Sequence, residues 1–305
     1  MLKVGVIGLG DIAQKAYLPV LAGISDTEFH FFTRNQKKLA AAGRMYRWTH
    51  LHDSLESLAG SGITGAFVHT ATESHEQIIK FLLEHHIHVF VDKPISYHFE
   101  TSRKLAELAA QKKLLLSVGF NRRFAPSYKF LKKAEGINMV LVQKNRKNSP
   151  DEIRRFILDD FIHVADTVRH LYPYEAEETI ITGKQKDGLL TQVTLQLAGK
   201  DGTAIGIMNR DAGISEERAE VFGPAGKRIA ENVADVYIHQ NKDIWKSGGD
   251  DWEPTLVKRG FHGMVHNFLS ALKGEEEPFI PMWDALKTHE LCEKIICKLE
   301  GGEMI

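Results

Sequence analysis

Three short stretches hold side chains with chemistry to offer. In HVFVDKPI, residues 88–95, an apolar run that reads as a buried strand ends on Asp92, Lys93 and Pro94. An ammonium there can donate to an oxygen on which negative charge develops. It can equally be a solvated end of strand. In FILDDFIHVADTVRHL, residues 156–171, Asp159, His163, Asp166 and His170 recur at helical spacing on one face. A carboxylate one turn from an imidazole favours the charged ring and fixes its tautomer, which suits proton exchange with a hydroxyl near neutral pH. Read alone, the same pair is ordinary surface solvation. In VGVIGLGDIAQKA, residues 4–16, Gly8, Gly10 and Ala13 form G-x-G-x-x-A directly after a strand.

That loop has a physical reading. Gly8 permits a tight turn, Gly10 lets the backbone approach a pyrophosphate, and Ala13 lets helix and strand pack closely. The helix opens through Asp11 and Ile12 with its N-terminus towards the anion. Dinucleotide binding is expected; the alternative is a glycine turn in a nucleotide-free flavodoxin-like domain. An NAD site carries an acid about 20 positions further on, for the ribose 2′-hydroxyl. That place is held by Thr33, Arg34 and Asn35, and no Asp or Glu occurs between Phe29 and His52. The window holds Arg34, Lys37, Lys38, Arg44 and Arg47 instead. A guanidinium at Arg34 can grip a 2′-phosphate as a fork, so NADP is expected in preference to NAD, unless Arg34 is merely a solvated loop residue.

The elements that must position these groups fall into two sets. Strands are expected at 3–7, 28–33, 65–70, 88–92 and 114–119, with helices near 11–21, 35–43, 73–85 and 98–112. Repeated β-α units imply a doubly wound parallel sheet, which binds ligands at the carboxyl ends of its strands. After Asn121 come a polar stretch and strands at 138–147, 176–184, 189–197, 203–209, 217–222, 227–232 and 236–240. Their alternation suits a mainly antiparallel sheet with one wet face. A helix over 155–171 should bury the stripe Ile157, Phe161, Val164, Val168 and Leu171. Two more, 259–272 and 282–299, close the chain. The fold class is therefore α/β, with a Rossmann domain at 1–121 and an α+β domain at 122–305. The last helix is a candidate to pack back on the first domain.

With 305 residues, 43% apolar and 26% charged, the chain is long enough for two domains and ordinary in composition. A net charge of −1 gives no basic surplus for a phosphate backbone, so no nucleic-acid partner is expected. A strand begins at Lys3, with no secretory leader and no apolar run of about 18 residues, so no membrane partner and a soluble cytoplasmic protein are expected. Cys292 and Cys297 lie on different faces of one helix and read as reduced core thiols. Histidines gather as HLH at 50–52 and EHHIH at 84–88. The second group straddles a helix end and a strand start, and no metal is assigned. Seven cations, Arg122, Arg123, Lys144, Arg146, Lys147, Arg154 and Arg155, mark either an anionic substrate or a solvated or interface surface.

Taken together, VGVIGLGDIAQKAYLPVL, VFVDKP and LDDFIHVAD resemble the glucose–fructose oxidoreductase / inositol dehydrogenase / MocA family, in which a glycine loop is followed by E-K-P and then by a D-x-x-x-H helix. FVHTATESH and VGFNRRFAP resemble its MviM-like subgroup. The resemblance spans nearly the whole chain, firmest over 1–125 and 155–172. It implies a nicotinamide cofactor, redox chemistry at a sugar, polyol or sugar-acid carbon, and a homo-dimer or homo-tetramer through the large sheet. Lys93 and Pro94 match the family lysine and proline, whose peptide bond is often cis. Asp159 and His163 match the helix motif, and Thr70, Ala71 and His75 the cofactor-side loop. Asn121 and Arg122 match the exit from the Rossmann domain near the nicotinamide and the substrate. Asp92 stands for the usual glutamate, and Phe161 for a common glycine, where it narrows the pocket or joins the helix core.

On this reading His163 is the general acid/base, Asp159 orients it or hydrogen-bonds a neighbouring substrate hydroxyl, and Lys93 donates to the reacting oxygen, with Asp92, Lys93 and Pro94 bordering the cofactor. Two rivals remain: a sensor that binds NADP without turnover, and a redox-assisted glycoside-cleaving enzyme.

Overall fold

Runs such as Val4–Ile7 and Val89–Val91 are apolar at every position, so they are stable only as strands covered on both faces. The computed structural model, which describes residues 1–247 and 252–301, places them at the centre of a six-stranded parallel sheet. Its strands are β1 (Leu2–Ile7), β2 (Thr27–Phe32), β3 (Leu51–His52), β4 (Gly65–Val68), β5 (His88–Val91) and β6 (Leu116–Val118). Their order is β3-β2-β1-β4-β5-β6, so the winding reverses between β1 and β4 and opens a crevice at their carboxyl ends. β3 and the short helix Leu55–Ala59 that follows it were not expected, because a two-residue edge strand is too short to show alternation.

The chain divides into two compact units: Met1–Gly119 with Phe261–Lys287, and Phe120–Gly260 with Thr288–Ile305. The second is thus not the unbroken stretch 122–305 expected from the sequence, whose last four residues lie outside the described ones. The helix Phe261–Leu272 buries Met264, Val265, Phe268 and Leu269 in the first unit. Phe268 lies 5.0 Å from Phe67 and 5.5 Å from Phe90 between ring centroids. A Cβ on Gly65 would come within 2.6 Å of Leu272, so the missing side chain lets this helix close on the sheet. Periodicity announces such a helix but not which sheet it covers.

The second unit is an eight-stranded sheet in the order β14-β13-β12-β11-β7-β10-β9-β8. Its strands are β7 (Met139–Lys147), β8 (Glu178–Lys186), β9 (Leu189–Gly199), β10 (Gly202–Ala212), β11 (Glu216–Gly223), β12 (Gly226–Glu231), β13 (Asp235–Gln240) and β14 (Asp243–Ser247). All pairings are antiparallel except β7 with β10. Across one face runs the helix of residues 153–171, whose expected stripe of Ile157, Phe161, Val164, Val168 and Leu171 is buried throughout. Gly206 makes room for it, since a Cβ there would lie 2.9 Å from Val164 and 3.1 Å from Val168. Phe161 therefore belongs to the helix core. The helix is wound as a π-helix over Phe156–Phe161 and as an α-helix from Ile162. The polar stretch after Asn121 also holds a helix, Pro126–Lys132, anchored by buried Tyr128 and Leu131.

Ion pairs within the second unit hold that helix and the elements around it. Arg123 grips Asp166 at 2.6 and 2.9 Å, and the Thr288 hydroxyl donates to the same carboxylate at 2.9 Å. Lys144 and Arg146 both donate to Asp160. Arg122 forks onto Glu217 at 2.6 and 2.7 Å, and the Tyr128 hydroxyl joins at 2.9 Å. Arg154 forks onto Glu293. Five of the seven cations read as an anion site or a wet surface are thus partnered by carboxylates. Burial alone would raise the Glu217 carboxyl, but Arg122 outweighs it and holds the group down to about 2.

Two outcomes follow from this packing. Phe268→Ala should lower stability by about 3–5 kcal/mol, the usual cost of emptying a buried aromatic position; a loss below about 1 kcal/mol in urea melts would place the helix elsewhere. Glu217 has a depressed folded pKa, so its stabilisation is present above the unfolded value of about 4.5 and is lost as pH falls through about 2. About 3 kcal/mol rides on that window. Glu217→Gln should flatten the acid limb of stability against pH, and an unchanged slope between pH 4.5 and 2 would contradict the pairing.

Candidate cofactor cleft and acid–base helix

The carboxyl edge of the parallel sheet is stitched one residue beyond four of its strands, β1, β4, β5 and β6. The N–H of Gly8 donates to Phe32, that of His69 to Ile7, that of Asp92 to Val68 and that of Gly119 to Val91, all at 2.8–3.0 Å. This ladder delivers the next residues, Leu9, Thr70, Lys93 and Phe120, at defined heights along the edge.

Over β1 and β4 it borders a cleft of about 460 Å³ lined by Gly8, Gly10, Thr33, Arg34, Asn35, Lys38, His69, Thr70 and Ala71, among others. Gly8 has φ +90°, and a Cβ on it would lie 2.8 Å from His69 and Thr70 backbone atoms. At Gly10 a Cβ would meet nothing closer than the His69 oxygen at 3.9 Å, so the backbone faces open space. Ala13 is fully buried behind the loop. This cradle fits a dinucleotide pyrophosphate laid on bare backbone. Asp11 points outward and pairs with Lys15 at 2.8 Å, and Ile12 is exposed, so their side chains serve the surface rather than the cleft.

None of the residues lining the cleft is acidic, while Arg34 and Lys38 are cations. Asn35 has a local task as well: its side chain caps the helix Gln36–Tyr46 by accepting from the Lys38 N–H at 3.1 Å.

His75 is buried, which lowers its pKa, and each ring nitrogen faces a backbone carbonyl, to only one of which the neutral ring can donate. Nδ1 lies 2.9 Å from the Pro94 carbonyl and Nε2 3.1 Å from that of Thr70. It ties the turn after β5 to the turn after β4 rather than reaching the cleft. The Lys93–Pro94 bond that it supports is cis. Asp92 accepts from the Tyr17 hydroxyl at 2.9 Å, and Gly119 leaves the room, since a Cβ there would lie 2.9 Å from the Asp92 carboxylate. Burial pushes the Asp92 carboxyl up against the pull of neighbouring Lys93, and pushes the Tyr17 hydroxyl well above its ordinary value.

Tyr17 and His69 were not singled out from the sequence. Their rings stack at 3.7 Å between centroids. His69 is buried at the cleft wall with no hydrogen-bond partner on either nitrogen among the described residues, and burial, with His75 nearby, drops its pKa to about 3. It is a neutral ring at any physiological pH. No spacing in the sequence connects residues 17, 69 and 92; only the strand order does.

In the second unit, Asp159 and His163 are both partly exposed, either side of the change from π to α winding. Asp166, read on the same face, is instead buried under Arg123, so the expected row of four does not form one open surface. Asp160, not singled out, is the charged centre of this segment: burial would raise it, but Lys144 and Arg146 hold it far below the carboxylate range. Lys144 itself is lowered by burial and by Arg122 to about 7, against the pull of Asp160. Asn121 is buried, donating to the Arg259 carbonyl at 2.7 Å and accepting from Arg122 at 3.2 Å. All three guanidinium nitrogens of Arg122 thus have partners within the protein.

Comparison with known proteins agrees with this construction. Residues 2–120 match an oxidoreductase family with an NAD-binding Rossmann fold, and residues 126–241 match the YceM-like C-terminal domain. The YceM protein of Salmonella typhimurium is 33% identical over 284 residues, 91% of either chain. A myo-inositol 2-dehydrogenase of Thermotoga maritima is 26% identical over 78% of this chain and 77% of its own. The crystal structure of the MviM dehydrogenase from Clostridium difficile superposes with a TM-score of 0.93 at 34% identity, covering 97% of this chain and 99% of that one. The chain belongs to the Gfo/Idh/MocA family of nicotinamide-dependent oxidoreductases, in its MviM-like subgroup.

Proposed function

We propose that the protein binds NADP in preference to NAD and transfers a hydride between it and a hydroxyl or carbonyl carbon of a sugar, polyol or sugar acid. The observation that carries the cofactor choice is the acid-free cleft with Arg34 and Lys38 on its wall. An NAD site needs a carboxylate for the ribose diol, and a 2′-phosphate needs the reverse charge. The bare backbone at Gly8 and Gly10 would hold the pyrophosphate, with Thr70 and Ala71 beside it on the cleft lining. The bound nicotinamide supplies the hydride chemistry.

The proton chemistry belongs to the chain. Lys93, one residue past the end of the β5 ladder, donates to the substrate oxygen and stabilises charge developing on it. His163 exchanges the proton of the same hydroxyl, and Asp159 orients its ring. This assignment rests on the match of Lys93, Asp159 and His163 to the family motifs. Asn121 and Arg122 are assigned, by the same match, to the cofactor and substrate side of the exit from the first unit. The polyol class draws support from relatives named as inositol dehydrogenases. The uncovered face of the eight-stranded sheet, which includes part-exposed Leu141, Ile205 and Ile207 between polar residues, suits a second copy of the chain.

A panel of sugars, polyols and sugar acids with NADP, followed at 340 nm, is the direct test; no turnover on any of them would reject the reading. Lys93→Ala and His163→Ala should each lower turnover about 10²–10⁴-fold with cofactor affinity retained, and near-normal turnover in both would remove the assignment. Arg34→Ala should weaken NADP about 10–100-fold, the worth of a charged hydrogen-bond pair, and leave NAD unchanged. Equal loss for both cofactors, or tighter NAD binding by the natural protein, would overturn the preference.

A further inference from the structure

Glu28 and His30 alternate on β2, and His50 precedes β3. The register pairs Phe31 with Leu51 and Phe32 with His52, so Glu28, His30, His50 and His52 share one face of the sheet. We propose that Glu28, His30 and His50 form a binding site for a first-row divalent cation of the zinc type. One ligand atom from each lies within 4.8 Å of the other two. His30 Nε2 is 2.8 Å from Glu28 Oε1, and His50 Nε2 is 3.7 Å from Glu28 Oε2. Bonds of about 2.1 Å at tetrahedral angles put ligand atoms about 3.4 Å apart, so the spread already brackets what an ion needs.

The surroundings are organised for it. The other nitrogen of His30, Nδ1, lies 2.9 Å from His52 Nε2, and His52 Nδ1 lies 2.9 Å from the Ser57 hydroxyl. With an ion on His30 Nε2, the His30 Nδ1–H donates to His52, and the His52 Nδ1–H donates to Ser57. Each ring then has one tautomer that satisfies both of its nitrogens, the outer support that metal-bound imidazoles normally have. Without an ion, the His30 Nε2–H donates to Glu28 and the chain runs the other way. Two imidazoles and one carboxylate, with His50 nearly half exposed, suit zinc, nickel or copper and leave room for water. Lys3 lies 3.4 Å from Glu28 and competes for the carboxylate, but it is exposed enough to swing away. Neither Glu28, His30 nor His50 lines the cofactor cleft, so the site is separate from hydride transfer. It would clip the two-residue edge strand β3 to β2, three residues before β2 delivers Thr33 to the cleft.

The full-length protein, stripped with a chelator, should bind one equivalent of zinc by titration calorimetry. His50→Gln, a surface change that leaves the fold intact, should weaken it at least about 100-fold, since outer partners alone are worth 10–100-fold. His86→Ala, at an exposed histidine outside the cluster, should not. Nitrogen-15 NMR should show the His30 proton moving from Nε2 to Nδ1 on zinc addition. Zinc uptake equal in His50→Gln and the natural protein, or no uptake by the natural protein at 100 μM zinc, would overturn the site; so would an unmoved His30 proton.

Discussion

Everything at the carboxyl edge of the parallel sheet depends on Gly8 standing with φ +90° against the backbone of His69 and Thr70. β1 and β4 are neighbours, and the residues just past them must pass each other with no space for a Cβ. A larger residue would have to push the β4 exit away, and the hydrogen bonds from Gly8 to Phe32 and from His69 to Ile7 would open with it. Those bonds set the heights of Thr33 and Thr70 on either wall of the cleft. The glycine is therefore a structural requirement before it is a cofactor contact. The same absence of a side chain meets both needs, because the surface it leaves bare is the surface an anion can approach.

The groups beside this edge are spent on holding it. His75 sits between carbonyls of two different turns and donates its one N–H to one of them, and Tyr17 gives its hydroxyl to Asp92. The shorter Asp92, where the family usually has glutamate, still reaches that hydroxyl because Gly119 stands aside. A neutral His69 stacked on Tyr17 adds a wall that carries no charge in the physiological range. Lys93 thus follows a carboxylate already engaged by a phenol, at a turn pinned from behind by an imidazole.

The second unit solves a different problem. Its helix of residues 153–171 buries an apolar stripe on one side, yet Asp160 and Asp166 are also inside. A buried carboxylate is tolerated only when its lost hydration is replaced by charge and hydrogen bonds of good geometry. Asp166 receives a fork and a hydroxyl, Asp160 an ammonium and a guanidinium. Three of the cations clustered in the sequence, Arg123, Lys144 and Arg146, are thus committed to this helix. They fix the rotation of the helix, and hence the direction in which Asp159 and His163 emerge. The change from π to α winding between those two residues makes the same point: helical spacing alone does not say which way a side chain leaves such a segment.

What could be read from the sequence was whatever is local. The glycine loop, the β-α alternation, the apolar stripe of the helix and the missing acid after β2 are each written in periodicity or spacing along neighbouring stretches of chain. What could not be read depends on register. Phe261–Leu272 is an unremarkable amphipathic helix until Gly65 and Phe67 are seen beneath it. Tyr17 and Asp92 are 75 residues apart and meet only because β1, β4, β5 and β6 lie in that order. HLH at 50–52 gave no metal site by its own spacing, since two histidines at and just before an edge strand offer too few ligands. Parallel pairing sets them beside Glu28 and His30, a helix and a turn earlier in the chain. In a parallel sheet the neighbours of a side chain across the face always come from another β-α unit. Residue constellations on such a face are therefore visible only once strand order and register are known, whereas those on a single loop or helix turn can be seen in the sequence itself.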